Sequence, residues 1–186
     1  MNAKQLNKGE YGEKLVIETY NTMGYEHQGP WLWWGEDALM LAPEDRAHTF
    51  DHIFKRDGRF IFGDSKAKAK YNVYQDTGIN LCHFDRYWNL YLTMRVNPCF
   101  DDFLLFFVDE SPSEQRIYYV SLAELHGVGL LEWRKQKKTR TDVDSGGKPL
   151  IMFSSSLWHG LRQLAEDEVA TLRGLCRRNY DYPAAR

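Results

Sequence analysis

The sequence predicts an α/β fold with a three-layer core, in which a central mixed β-sheet is flanked by helices. Segments with helical spacing at the start, middle and end of the chain alternate with β-type segments. One β-type segment, residues 103–108 (FLLFFV), is a continuous apolar run, which is typical of a central strand covered on both faces. The length of 186 residues suggests a single domain covering residues 1–186.

Three helices are predicted from apolar residues that recur at spacings of three and four. The first covers residues 8–23, and Gly24 directly after it suits a helix C-terminus. The second covers residues 81–95. The third is a closing amphipathic helix over residues 157–177, where leucines recur at helical spacing.

The strands are predicted from apolar and aromatic segments between turn residues. Asp57-Gly58 is a strong hairpin signal, so the strands on either side should be antiparallel neighbours. Residues 67–80 are polar and are predicted as a turn-rich connection. The predicted strands cover residues 48–55, 59–66, 103–108, 117–122 and 149–153.

Composition narrows the class of protein. The formal net charge of −2 argues against a strongly basic, DNA-coating protein, although a local basic face remains compatible with it. Three cysteines without a CxxC pair indicate reduced thiols in an intracellular protein. The first residues lack an apolar signal core, and no apolar run is long enough to span a bilayer. We therefore expect a cytoplasmic protein without a membrane partner.

Charged residues interrupt the predicted hairpin at one end. Asp64 and Lys66 alternate along one strand and share a face, while the hairpin turn places Asp51 on the adjacent strand. Two close carboxylates repel each other, and a divalent cation relieves that repulsion. Mg²⁺ prefers oxygen ligands and lowers the pKa of a bound water, and a nearby lysine can hold that water. The pattern is typical of phosphodiester hydrolysis. The alternative is that Asp51 and Asp64 are edge or turn residues and that Lys66 only begins a basic run with Lys68 and Lys70.

The order of these motifs is similar to that of a known family. Gly9-x-x-x-Glu13 lies in the first helix, Phe50-Asp51 begins one hairpin strand, and Asp64-Ser65-Lys66 ends the other. This order resembles the PD-(D/E)XK nuclease superfamily, which is restriction-endonuclease-like, and within it the Holliday-junction-resolvase-like and Mrr-like members. Phe50 stands in place of the proline of the motif, and the resemblance covers roughly the first half of the chain.

The resemblance implies a role for each motif residue. Asp51, Asp64 and the backbone carbonyl of Ser65 would be ligands of Mg²⁺, for which Mn²⁺ can substitute. Lys66 would orient the attacking water or stabilise the transition state. Glu13 would support the metal site from the helix, a role for which Glu10 is the competing residue.

Further residues are candidates for contacts with nucleic acid. Lysines that follow the predicted strand over residues 59–66, and lysines in a later basic run, could contact phosphates of the nucleic acid. A glutamine in the loop after the Asp64-Ser65-Lys66 motif could contact the substrate. Ordinary solvated surface is the alternative for the basic run, and a plain turn residue is the alternative for the glutamine. These candidates are Lys68, Lys70, Gln75, Lys135, Lys137 and Lys138.

The sequence therefore predicts a metal-dependent nuclease that hydrolyses phosphodiester bonds of nucleic acid, with DNA as the expected partner and a homodimer as a further expectation. One alternative is a catalytically inactive nuclease-fold module that binds nucleic acid. A second is a protein-interaction factor that uses Trp31, Trp33 and Trp34 as an aromatic patch. A third is a metal-dependent hydrolase of a small phosphoester.

Overall fold

A computed structural model of the chain describes residues 8–28, 50–67, 76–111, 115–129 and 150–175. The described residues contain four α-helices: α1 (Lys8–Thr22), α2 (Leu81–Met94), α3 (Leu122–Glu124) and α4 (Glu166–Gly174). The described strands are β1 (Glu26–His27), β2 (His52–Arg56), β3 (Arg59–Ala67), β4 (Asp76–Asn80), β5 (Phe100–Asp109), β6 (Arg116–Ser121), β7 (Leu150–Ser154) and β8 (His159–Gln163). None of the helices described is long and apolar enough to cross a membrane.

The strands form one mixed sheet and one small sheet. The main sheet has six strands in the order β1-β2-β3-β5-β6-β8. Only β3 and β5 in this sheet are parallel, and α2 lies in the connection between them. Strands β4 and β7 pair separately as an antiparallel two-stranded sheet. The predicted α/β class with a mixed sheet is confirmed.

The apolar run in β5 explains why helices cover both faces of the sheet. Alternate side chains of a strand point to opposite faces, so a continuous apolar run requires burial on both sides. Phe103, Leu105 and Phe107 pack in one core cluster together with Phe84 of α2. The alternate residues of the same run pack in a second cluster with Leu15 of α1 and with α4: Leu104, Phe106 and Val108. The prediction of a central strand covered on both faces is confirmed.

The hairpin between β2 and β3 forms as its turn residues predict. Asp57 and Gly58 both adopt positive φ, 52° and 78°, as a tight two-residue hairpin turn requires. The register runs from Arg56 opposite Arg59 to His52 opposite Gly63. This register fixes which side chains of the two strands meet at the far end of the hairpin.

The closing helix is shorter than predicted, and the prediction over residues 157–177 was wrong for its first part. Residues 159–163 form β8 and pair with β6, and the helix begins at Glu166. A local cap explains the late start: the Glu168 carboxylate accepts a 2.8 Å hydrogen bond from the backbone N–H of Ala165 and binds Arg162 at 2.7 Å. Leucines at 157, 161 and 164 match helical spacing, but pairing with β6 decides the conformation.

The connection predicted over residues 67–80 was also wrong in part. Residues 76–80 form β4, which pairs with β7 from Asp76 opposite Ser154 to Asn80 opposite Leu150. The polar sequence DTGIN has weak β-type character by itself, and its strand conformation depends on a partner far along the chain. This strand places Gly78 and Ile79 beside the candidate site described below.

Gly12 allows α1 to lie close to β3. A Cβ added at Gly12 would lie 2.7 Å from Ala67 Cβ and 3.7 Å from Val108 Cγ2. We expect Gly12→Ala to lower the free energy of unfolding by about 1 kcal/mol or more, because overpacking outweighs the gain in helix propensity. Urea unfolding measures this change. Gly127→Ala is the control, since a Cβ at Gly127 meets no atom within 4 Å. Equal stability of Gly12→Ala and wild type would contradict the close packing.

Candidate active site

Asp51 lies at the open end of the β2–β3 hairpin. Strand β3 extends past the first residue of β2, so the backbone N–H of Ser65 has no strand partner on that side. The Asp51 carboxylate accepts a 2.8 Å hydrogen bond from this N–H. The contact joins the two predicted metal-binding segments, which are separated by more than ten residues in the sequence.

Lys66 lies between two of the predicted ligands. Its Nζ is 2.5 Å from Asp64 Oδ2 and donates a 3.2 Å hydrogen bond to the carbonyl of Ser65. The side chain of Asp64 is only 3% exposed, whereas that of Lys66 is 40% exposed. The lysine therefore connects a buried carboxylate to the solvent-facing part of the site.

Glu13 reaches the same group of charges from α1. Burial raises the pKa of the Glu13 carboxyl, the Lys66 ammonium opposes that rise, and Asp64 adds to it. Glu10 also raises the pKa of Glu13, so both candidate glutamates of α1 lie near one another. The structure thus brings Glu13 to the group formed by Asp51, Asp64 and Lys66.

The carboxyl groups of this site outnumber its one cation, Lys66. Burial raises the pKa of Asp51 to about 8, and repulsion from Asp64 adds to the effect. Burial would lower the pKa of Lys66, but Asp64 and Asp51 outweigh it and raise that pKa. One ammonium thus faces three carboxyl groups, so the site as a whole favours additional positive charge.

The donor set fits a hard divalent cation. Within the part of the chain that the structure describes, no group of three or more His, Cys, Asp or Glu side chains could hold a metal ion. The predicted set differs from such a group because it consists of two carboxylates and one backbone carbonyl, all oxygen donors suited to Mg²⁺. A cation beside Asp51 would also favour the ionised form of a carboxyl that burial now keeps protonated near neutral pH.

Tyr87 of α2 belongs to the site, although the sequence predicted it only as one residue of the apolar stripe of that helix. The Tyr87 side chain is hydrogen-bonded to Asp64, and its pKa is raised first by burial and then by that carboxylate. A neutral phenol O–H therefore donates to Asp64 and fixes the carboxylate from the helix side. A tyrosine on a buried helix face needs a partner for its hydroxyl, and this is the signal in the sequence that could have identified it.

A small cleft, about large enough for one water molecule, lies between the charged group and the small sheet. It is lined by Asp64, Lys66, Gly78, Ile79 and Trp158, with apolar residues of β5 completing the lining. Trp158 could not be identified from the sequence, because its position follows from the β6–β8 pairing that brings residue 158 to this place.

The predicted nucleic-acid contacts are not placed. Lys68, Lys70, Gln75, Lys135, Lys137 and Lys138 lie outside the described residues, as do Trp31, Trp33 and Trp34.

Comparison with known proteins leaves the family of the chain open. No model of a known protein family matches it, and no curated protein matches it either. The geometry of the site is therefore the main guide to function.

Proposed function

We propose that the protein is a metal-dependent nuclease of the PD-(D/E)XK, restriction-endonuclease-like type that hydrolyses phosphodiester bonds of DNA. The observation that carries the proposal is the convergence of Asp51, Asp64 and Lys66 at the open end of one hairpin, with Glu13 beside them. A buried group of this kind is unfavourable for folding, which makes it a candidate for function.

The order of elements around the site supports the same proposal. A helix with Glu13 precedes a hairpin that carries Asp51 and then Asp64-Ser65-Lys66, and α2 packs on the sheet after it. This is the order that the resemblance to the superfamily implies. The parallel pairing of β3 with β5 places the end of the motif strand beside the centre of the sheet.

The metal would be held by the carboxylates of Asp51 and Asp64 and the carbonyl of Ser65, and when bound it would supply positive charge for the phosphate and for a water molecule.

The residues of the chain have separate tasks in this proposal. The Lys66 side chain is partly exposed, and its ammonium carries hydrogen-bond donors for an attacking water or for a phosphate oxygen. Tyr87 keeps the Asp64 carboxylate in one orientation through its hydroxyl. Glu13 adds a further carboxyl group whose charge favours the protonated form of Lys66.

A cleavage assay tests the proposal directly. Plasmid, linear, single-stranded and four-way-junction DNA are incubated with the protein in Mg²⁺, in Mn²⁺ and in EDTA. We expect cleavage in the presence of either metal, none in EDTA, and a loss of about 10²-fold or more in Asp64→Asn. Asp57→Asn is the matched control, because Asp57 is an exposed turn carboxylate outside the site.

Two results would contradict the proposal. Cleavage that persists in EDTA would show that no metal takes part. Folded wild-type protein that cleaves no DNA, but hydrolyses a nucleotide phosphoester in Mg²⁺, would favour a hydrolase of small phosphoesters instead.

A further inference from the structure

Two histidines lie directly behind the predicted metal-binding segments. His52 is fully buried on β2, and its Nε2 is hydrogen-bonded to the hydroxyl of Ser65. His27 on the neighbouring strand β1 forms a hydrogen bond with the backbone of Asp51. The two rings meet edge to face with their centroids 5.6 Å apart. Each of the two segments therefore forms a hydrogen bond with one imidazole.

The histidines act from the face of the sheet opposite to the charges. Ser65 lies between Asp64 and Lys66, so its side chain points away from theirs. His52 packs on this other face against Phe54 and Phe106, with ring centroids 5.2 and 5.7 Å away. Both phenylalanines belong to the core cluster under α1. The His52 ring is thus held in place on several sides.

The contact between His52 and Ser65 is not that of a catalytic base and its nucleophile. Such a pair must reach a substrate, yet Ser65 is 7% exposed and His52 is 0% exposed. The cleft also lies on the other side of β3, where Asp64 and Lys66 line it. The buried imidazole stays neutral and serves as a fixed hydrogen-bond partner for the hydroxyl.

We propose that His52 and His27 are positioning residues that fix the Ser65 peptide and the Asp51 backbone in the geometry that binds the divalent cation. This inference rests on the proposed function, because it concerns the same site. It adds two residues that lie outside the Asp51 and Asp64-Ser65-Lys66 motif.

The physical basis is the narrow tolerance of a metal site. The Ser65 carbonyl can contribute as a ligand only if its peptide plane is held in one orientation, and the hydroxyl contact restrains that residue from the far side. Asp51 precedes β2, so its own backbone lacks the restraint of a strand interior, and the His27 contact supplies one. Loss of partners that orient ligands typically weakens metal binding about 10–100-fold.

Mn²⁺ binding to the purified full-length protein, followed by electron paramagnetic resonance of the free ion, tests the inference without any need for cleavage. We expect His52→Leu to weaken Mn²⁺ binding about 10-fold or more. The control is Ile117→Ala, which removes a buried side chain from the same core cluster. It lowers stability, so a loss of affinity caused by general loosening of the core would appear in it as well.

Milder variants keep the test decisive if His52→Leu fails to fold. Ser65→Ala removes only the hydroxyl and retains the carbonyl, and it should weaken Mn²⁺ binding in the same direction. His52→Gln can still form a hydrogen bond to Ser65 and should recover part of the affinity. His27→Phe retains a ring against His52 but removes the contact with Asp51, and it should also weaken binding.

The outcomes separate this inference from the proposed function. Wild-type affinity in Ser65→Ala and in every folded His52 variant would overturn the positioning role while leaving the metal site intact. An equal loss of affinity in Ile117→Ala would overturn it too. Wild-type protein that binds no Mn²⁺ would overturn both proposals together.

Discussion

Lys66→Met should lose both cleavage and stability. The ammonium contacts the buried Asp64 carboxylate at 2.5 Å and is also close to Asp51 and Glu13, so its removal leaves three carboxyl groups without their shared counter-charge. Loss of one partner of a fully buried ion pair costs about 3–5 kcal/mol. Because 40% of the lysine side chain is exposed, we expect a smaller loss of about 1–3 kcal/mol.

If the proposed function is right, cleavage by this variant should fall about 10²–10³-fold, because the variant lacks the hydrogen-bond donor that the proposal assigns to the phosphate or the attacking water. Metal-dependent cleavage and urea unfolding in EDTA measure the two effects. The control is Lys55→Met, an exposed lysine in the same hairpin, and it should leave both quantities nearly unchanged. A Lys66→Met protein with wild-type cleavage would remove the lysine from the proposed chemistry.

Asp51→Asn should have opposite effects on activity and on stability. The amide oxygen of asparagine can still accept the hydrogen bond from Ser65, so the backbone N–H of Ser65 keeps a partner. The charge of the proposed metal ligand is lost, however, and we expect cleavage to fall about 10²-fold or more. In EDTA at pH 8 the variant should nevertheless be more stable than wild type, because it no longer buries a carboxyl beside Asp64.

The pH dependence of this difference follows from the direction of the shift. The pKa of Asp51 is about 8 in the folded protein, compared with 3.8 for the isolated group. Between these two values the unfolded chain binds fewer protons than the folded one, so the stability contributed by Asp51 falls as the pH rises from about 4 to about 8. The variant does not lose stability in this way, and its advantage in free energy of unfolding should therefore grow from near zero at pH 4 to several kcal/mol at pH 8.

Urea unfolding of both proteins at pH 4, 6 and 8 in EDTA checks this prediction. Addition of Mn²⁺ at pH 8 should stabilise the wild type and leave Asp51→Asn nearly unchanged. A wild type that is more stable than the variant at pH 8 without metal would show that Asp51 is not a destabilising group.

Much of the fold could be predicted because its signals are local. Helical spacing predicted the ends of α1 and α2 to within a residue or two. Asp57-Gly58 predicted the hairpin, whose strands carry apolar residues on both faces. The continuous apolar run in β5 correctly predicted a buried strand. Each of these segments forms where its own sequence favours it.

The missed strands depend on partners that are far away in the sequence. Residues 76–80 are extended because β7 pairs with them, and residues 159–163 because β6 does. The spacing of Leu157, Leu161 and Leu164 suits a helix, and no local feature outweighs it. Tertiary pairing thus decided the conformation where the local signal was weak or ambiguous.

The residues of the candidate site likewise include some that local sequence predicts and others that depend on distant partners. Asp51, Asp64 and Lys66 were predicted to converge because strand alternation and one tight turn determine their positions. Tyr87, Trp158, His27 and His52 could not be found so easily, since their places depend on how separate elements pack. Each of these four also resembles an ordinary core residue when only the sequence is read.

The hairpin that joins β2 to β3 has a consequence for the order in which the protein folds. Asp51, Asp64 and Lys66 all lie in this local unit, and hairpins of this size form in about 1–10 μs. The parallel pairing of β3 with β5 joins Phe60 to Phe100, so it must close a much longer loop and forms more slowly. The repelling carboxylates therefore come together before the sheet that buries them is complete. Because Lys66 belongs to the same hairpin, its positive charge accompanies them from the earliest stage of folding.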